Sequence, residues 1–70
     1  MKPPGRPAYS VKIKALRTAK GWTQDSLAMK LYVSKSMVVR WESGTAEPTA
    51  TNLINMAKIF DVSIDYIIKE

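Results

Sequence analysis

Residues 23–44 read TQDSLAMKLYVSKSMVVRWESG, and this stretch decides the fold. Thr23 stands where a helix N-cap belongs, and Asp25 falls favourably in the first turn that follows. Leu27, Ala28 and Leu31 share one inward face at helical spacing. Only Tyr32 and Val33 separate this helix from Ser34, the next N-cap. The helix that follows, KSMVVRWES, buries Val38 and Trp41 at i, i+3, and Gly44 ends it.

The flanks extend the same pattern. Upstream, Ser10 reads as the cap of a first helix running to about Lys20. Ile13 and Leu16 form its buried face, with Lys12, Lys14 and Lys20 off it, and Gly21 is its stop. Downstream, the loop TAEP leads to a fourth helix starting near Thr49, with Leu53, Met56, Ala57 and Phe60 inward. Asp61-Val62-Ser63 breaks it, and Ser63 caps a short fifth helix, IDYIIKE. Residues 1–9, MKPPGRPAY, hold three prolines and a glycine and read as a flexible basic arm. The expected organisation is an arm over 1–9 and an all-α domain of five short helices over 10–70. The tight break between the second and third helices fits the helix-turn-helix.

Composition narrows the function. A chain of 70 residues holds one domain, and 46% hydrophobic residues suffice for a core. It has no cysteine and no histidine, which removes disulfides, thiolate metal sites and the commonest general base. The six carboxylates are scattered and no glycine-rich phosphate loop appears, so the chain reads as no enzyme, with no cofactor and no metal. No apolar run approaches a membrane span of ~20 residues, and no signal peptide is visible, so a cytoplasmic protein is expected. The net charge of +5 is unevenly spread. Residues 1–40 carry nine cations and one anion, or +8, whereas residues 41–70 carry two cations and five anions, or −3. The basic half points to a polyanion or is simply a solvated basic surface.

The stretch IKALRTAKGWTQDSLAMKLYVSKSMVVRWESG resembles the Cro/cI-type (XRE) helix-turn-helix family of phage repressors and small bacterial transcription regulators. Ile13, Leu16, Arg17, Gly21, Trp22, Thr23, Gln24, Leu27, Ala28, Val33, Ser34, Trp41, Glu42 and Gly44 all stand in register with the family pattern. The tail EPTATNLINMAKIFDVSIDYI is similar to the family's fourth and fifth helices. The resemblance implies a lambda-repressor-like DNA-binding domain that regulates transcription, as a repressor of the Cro/cI kind. Its recognition helix, about 34–43, would enter the major groove of a near-palindromic operator on double-stranded DNA.

The resemblance also assigns residues. Lys35, Ser36, Val39 and Arg40 would read base edges. Arg40 and Lys35 can donate to guanine, Ser36 is permissive, and Val39 can pack on a thymine methyl. Solvated charge or phosphate contact is the other reading of the two cations. Thr23, Gln24, Ser34, Met37, Ser43 and Thr45 would meet the DNA backbone. Thr23 and Ser34 are foremost caps, and Met37 either brushes DNA or merely covers its helix. Thr45-Ala46-Glu47 lacks the cation many relatives carry there, which weakens the expected phosphate clamp. Arg17 is expected to pair with Glu42 and hold the recognition helix in place rather than touch DNA. Tyr32 stands where relatives usually have glycine; either the turn differs or Tyr32 is strained at positive φ. Lys2 and Arg6 of the arm either follow a groove or have no role.

A homodimer is expected, in solution or only on DNA, through the fifth helix (Ile64, Tyr66, Ile67, Ile68) and the Gly44–Thr49 loop. An antitoxin or coactivator-like module of the same fold, whose main partner is a protein, is the alternative.

Overall fold

The computed structural model describes residues 7–69; Lys2, Arg6 and most of the expected arm lie outside them. Five helices follow in order: α1 (Ala8–Ala19), α2 (Gln24–Leu31), α3 (Lys35–Ser43), α4 (Ala50–Phe60) and α5 (Ile64–Ile68). Among the described residues there is no strand.

Four of the helices start on hydroxyl caps, three of them (Thr23, Ser34 and Ser63) as expected. Thr23 accepts from Ser26 N–H at 3.0 Å, Ser34 from Met37 at 3.2 Å, Thr49 from Asn52 at 3.2 Å and Ser63 from Tyr66 at 3.0 Å. Each satisfies one amide that the helix itself cannot, for about 1 kcal/mol. The first helix departs from expectation. It starts at Ala8, not at Ser10, and its N-cap is Pro7, which gives no side-chain cap. Proline suits a helix start because its φ, here −69°, is already helical and it has no amide to satisfy. Ala8 and Tyr9, expected in the arm, are therefore helical. Ser10 is fully buried, and its hydroxyl donates to the Glu42 carbonyl. That carbonyl is in the last turn of α3 and has no partner within the helix. The tertiary bond replaces the local cap.

Four of the five helix ends share one device. Gly21, Tyr32, Gly44 and Asp61 all take positive φ. The next residue's N–H then reaches back over the last turn, as in Trp22 to Arg17 at 3.1 Å and Val33 to Ala28 at 3.0 Å. Tyr32 thus sits at φ 58°, ψ 41°, and its side chain is 95% exposed. No packing offsets the cost of that backbone conformation.

Ile13, Leu27, Ala28, Leu31, Val38, Trp41, Met56, Phe60 and Ile67 form one buried core. Leu16, Leu53 and Ala57, expected inward, are partly buried at its margin. α3 packs on α1 and α2, and α5 packs on α1 and α4. Trp22 stacks on Phe60 with ring centroids 5.6 Å apart, and the Lys30 ammonium lies 4.7 Å over the Trp22 ring. Cationic stems thus shield aromatic surface that so small a core leaves open. The Trp41 indole N–H is buried without a partner among the described residues.

One ionic node lies between α1 and α3. Arg17 Nε donates to Glu42 Oε2 at 2.6 Å, and its second arm reaches Glu42 Oε1 at 3.1 Å. A third donor of Arg17 reaches the Trp22 carbonyl at 2.8 Å. The side chains are 12% and 5% exposed. The hydrogen bond to Glu42 holds the guanidinium above its ordinary pKa, against the opposing effect of burial. Stability from such a raised group is present below its unfolded pKa and lost only as pH rises past the folded one. The guanidinium therefore stays charged across the physiological range.

Arg17→Ala strands the Glu42 carboxylate inside the domain and is expected to cost about 3–5 kcal/mol. Urea unfolding measures it, and an unchanged midpoint would remove the structural role of the pair. Tyr32→Gly is expected to add about 0.5–1 kcal/mol by relieving the left-handed conformation, read as a higher melting temperature.

Candidate nucleic-acid interface

α3 presents two unlike faces. Its inner face carries Val38, Trp41 and Glu42, all buried, with Met37 half-buried against the core. Its outer face carries Lys35, Ser36, Val39, Arg40 and Ser43, all exposed. The split follows from helical periodicity. Among the described residues, neither Lys35 nor Arg40 has a carboxylate partner. The two cations, one small hydroxyl and one branched apolar side chain expected to read bases therefore share a single open surface.

The residues expected at the DNA backbone are distributed less simply. Thr23 and Ser34 spend a lone pair on their caps, and the Ser34 hydroxyl also lies 3.1 Å from that of Ser36. Ser43 donates to the Arg40 carbonyl at 3.1 Å and lies 3.0 Å from the Thr45 hydroxyl. Both hydroxyls are exposed just beyond the recognition face. Met37 is half-buried and packs on the core. Gln24 is turned inward: its amide donates to Glu42 Oε1 at 3.1 Å. The amide has a second N–H, which this contact leaves over.

Glu42 is thus gripped by Arg17 from α1 and Gln24 from α2, and its own backbone carbonyl is held by Ser10. These bonds fix the C-terminal end of α3 against two other helices. Tyr9 adds a further tie, donating from its phenol to the Ala46 carbonyl at 2.9 Å. Burial and the charge of Glu47 push that phenol's pKa up, so it keeps its proton at neutral pH.

Lys14 was missed by the sequence reading. It shares an open cleft of about 170 Å³ with Gln24, Val39, Glu42 and Ser43. Lys14 stands three residues before Arg17, but only the packing of α1 against α3 brings it to the cleft.

The surface expected to dimerise is mixed. Ile67 is core and Ile64 half-buried, whereas Tyr66 and Ile68 are exposed at 50% and 43%. Lys12 donates to the Tyr66 and Lys69 carbonyls at 2.8 and 3.1 Å and lies 4.2 Å over the Tyr66 ring. No helix among the described residues is long and apolar enough to cross a membrane.

Comparison with known proteins places this geometry. A family model described as helix-turn-helix matches residues 13–67. The HTH-type transcriptional activator BcrR of Enterococcus faecalis is 40% identical over 60 residues, covering 86% of this chain and 29% of that protein. The HTH-type transcriptional regulator YqaE of Bacillus subtilis, itself uncharacterised, is 38% identical over 61 residues, covering 87% and 53%. The chain thus spans about a third to a half of these relatives. Among solved structures, the P22 c2 repressor in complex with a synthetic operator superposes with a TM-score of 0.83 at 30% identity, covering 87% of this chain and 92% of that one. The match runs from the core of α1 into α5, and the chain belongs to the Cro/cI-type (XRE) helix-turn-helix family of transcription regulators.

Proposed function

We propose that this chain binds double-stranded DNA sequence-specifically and regulates transcription, as a repressor of the Cro/cI kind acting in the cytoplasm. One observation carries the reading: α3 holds Lys35, Ser36, Val39 and Arg40 exposed on one face, the two cations without a carboxylate partner among the described residues, while its opposite face is locked into the core. A rigid helix with donors on its open side fits the major groove. The P22 c2 repressor, solved with an operator, supports the same docking.

In this reading Arg40 donates twice to one guanine, Lys35 to a second acceptor, and Val39 covers a thymine methyl. The Gln24 N–H not spent on Glu42, with the hydroxyls of Thr23, Ser34, Ser43 and Thr45, meets backbone phosphates. Met37 contributes contact at the edge of the helix. Two copies pair through exposed Tyr66 and Ile68 of α5 and the Gly44–Thr49 loop, with half-sites about one helical turn, ~34 Å, apart.

Selection of duplexes from a randomised pool tests the reading. An enriched near-palindromic site is expected, and its absence would turn attention to a protein partner such as a toxin or coactivator target. On the selected site, Arg40→Ala is expected to cost about 1–3 kcal/mol and to relax preference at one base pair. Equal losses on selected and shuffled DNA would make Arg40 a phosphate contact instead.

A further inference from the structure

The surface assigned to pairing has two pieces, the Gly44–Thr49 loop and α5, and in sequence they are joined only through α4. The loop leaves α3 at the positive φ of Gly44 and enters α4 at the Thr49 cap. Between these ends little holds it. The Thr45 N–H reaches the Arg40 carbonyl. Beyond that, among the described residues, the Tyr9 phenol is the one hydrogen-bond partner of the Ala46–Pro48 backbone. Pro48 has no N–H to give. Tyr9 and Ala46 also both pack on the core, so the bond lies at the edge of a packed surface.

α5 depends on the same helix. It is five residues long, too short to be stable by itself. Its last carbonyls have no partner within the helix. Lys12 supplies donors there, to the carbonyls of Tyr66 and Lys69, and its ammonium covers the Tyr66 ring. Tyr9 and Lys12 stand three residues apart, on one side of the first turns of α1. One stretch of α1 therefore holds both pieces of the pairing surface.

We propose that Tyr9 and Lys12 are positioning residues for the homodimer, a bracket that fixes the Gly44–Thr49 loop relative to α5. The proposal rests on the dimer of the reading above and deepens it. Neither side chain has to touch DNA; each acts through the carbonyls it holds. In a two-fold pair every contact occurs twice, so an error in the angle between loop and α5 enters twice. The separation of the two recognition helices follows from that angle, and with it the half-site spacing that the pair accepts.

The test compares three duplexes: the selected near-palindromic site, a single half-site, and the full site with one base pair inserted between its halves. The natural chain, Tyr9→Phe and Lys12→Met are each measured well below their melting temperatures. Tyr9→Phe keeps the ring and its packing, and Lys12→Met keeps an unbranched stem. The natural chain is expected to prefer the full site to the half-site and to lose affinity on the inserted site. Each variant is expected to lower the preference for full over half-site several-fold, and to suffer a smaller loss from the insertion. A variant that keeps the natural preference and spacing, or that loses affinity equally on full and half-site duplexes, would overturn the bracket while the dimer stands. A natural chain that binds the half-site as tightly as the full site would overturn the dimer, and the bracket with it.

Discussion

The Glu42 carboxylate, nearly buried between three helices, is the constraint on which the arrangement depends. A charge removed from water is tolerable only if the protein replaces the lost hydrogen bonds. Here the replacements come from far along the chain: Arg17 from α1 twice and Gln24 from α2 once. The Glu42 backbone carbonyl has its own distant donor, Ser10. Each of these bonds needs α3 in one position. An apolar core alone resists displacement only weakly, because many packings of similar volume have similar energy. The ionic node selects among them.

That selection matters because of where α3 ends. The helix is only nine residues long, and a helix of that length is marginal by itself. Its start is fixed by the Ser34 cap, its middle by Val38 and Trp41, and its end by Glu42 and the Gly44 closure. With all three fixed, the outer side chains are displayed on a rigid support. A reading surface needs this, since each freedom left to the helix is entropy to be lost on binding.

Much of this was legible in the sequence. The hydroxyl caps at Thr23, Ser34 and Ser63 and the Gly44 stop are local signals, each decided within a few residues, and they stand where they were expected. The Arg17–Glu42 pairing and the positive φ at Tyr32 came through the family resemblance, and the structure shows both. What escaped was tertiary. Ser10 has the local look of a cap, but its hydroxyl is matched to a carbonyl 32 positions away, which no local pattern can weigh. Lys14 reads as one more solvated lysine until α1 is laid against α3. The inward turn of Gln24 likewise depends on where Glu42 ends up.

The basic half of the chain shows why net charge is a poor count of contacts. Of its nine cations, Arg17 is consumed by Glu42, Lys12 closes the end of α5, and Lys30 lies over Trp22. Those three hold the fold. Among the described residues, Lys14, Lys20, Lys35 and Arg40 are the cations of that half without such a role. Two of them stand on the outer face of α3, and a third opens onto the cleft beside it. A small domain must use long cationic side chains as packing material, because it has too little apolar surface to cover itself. The charge left over after packing is what faces a polyanion, and here it gathers around one helix.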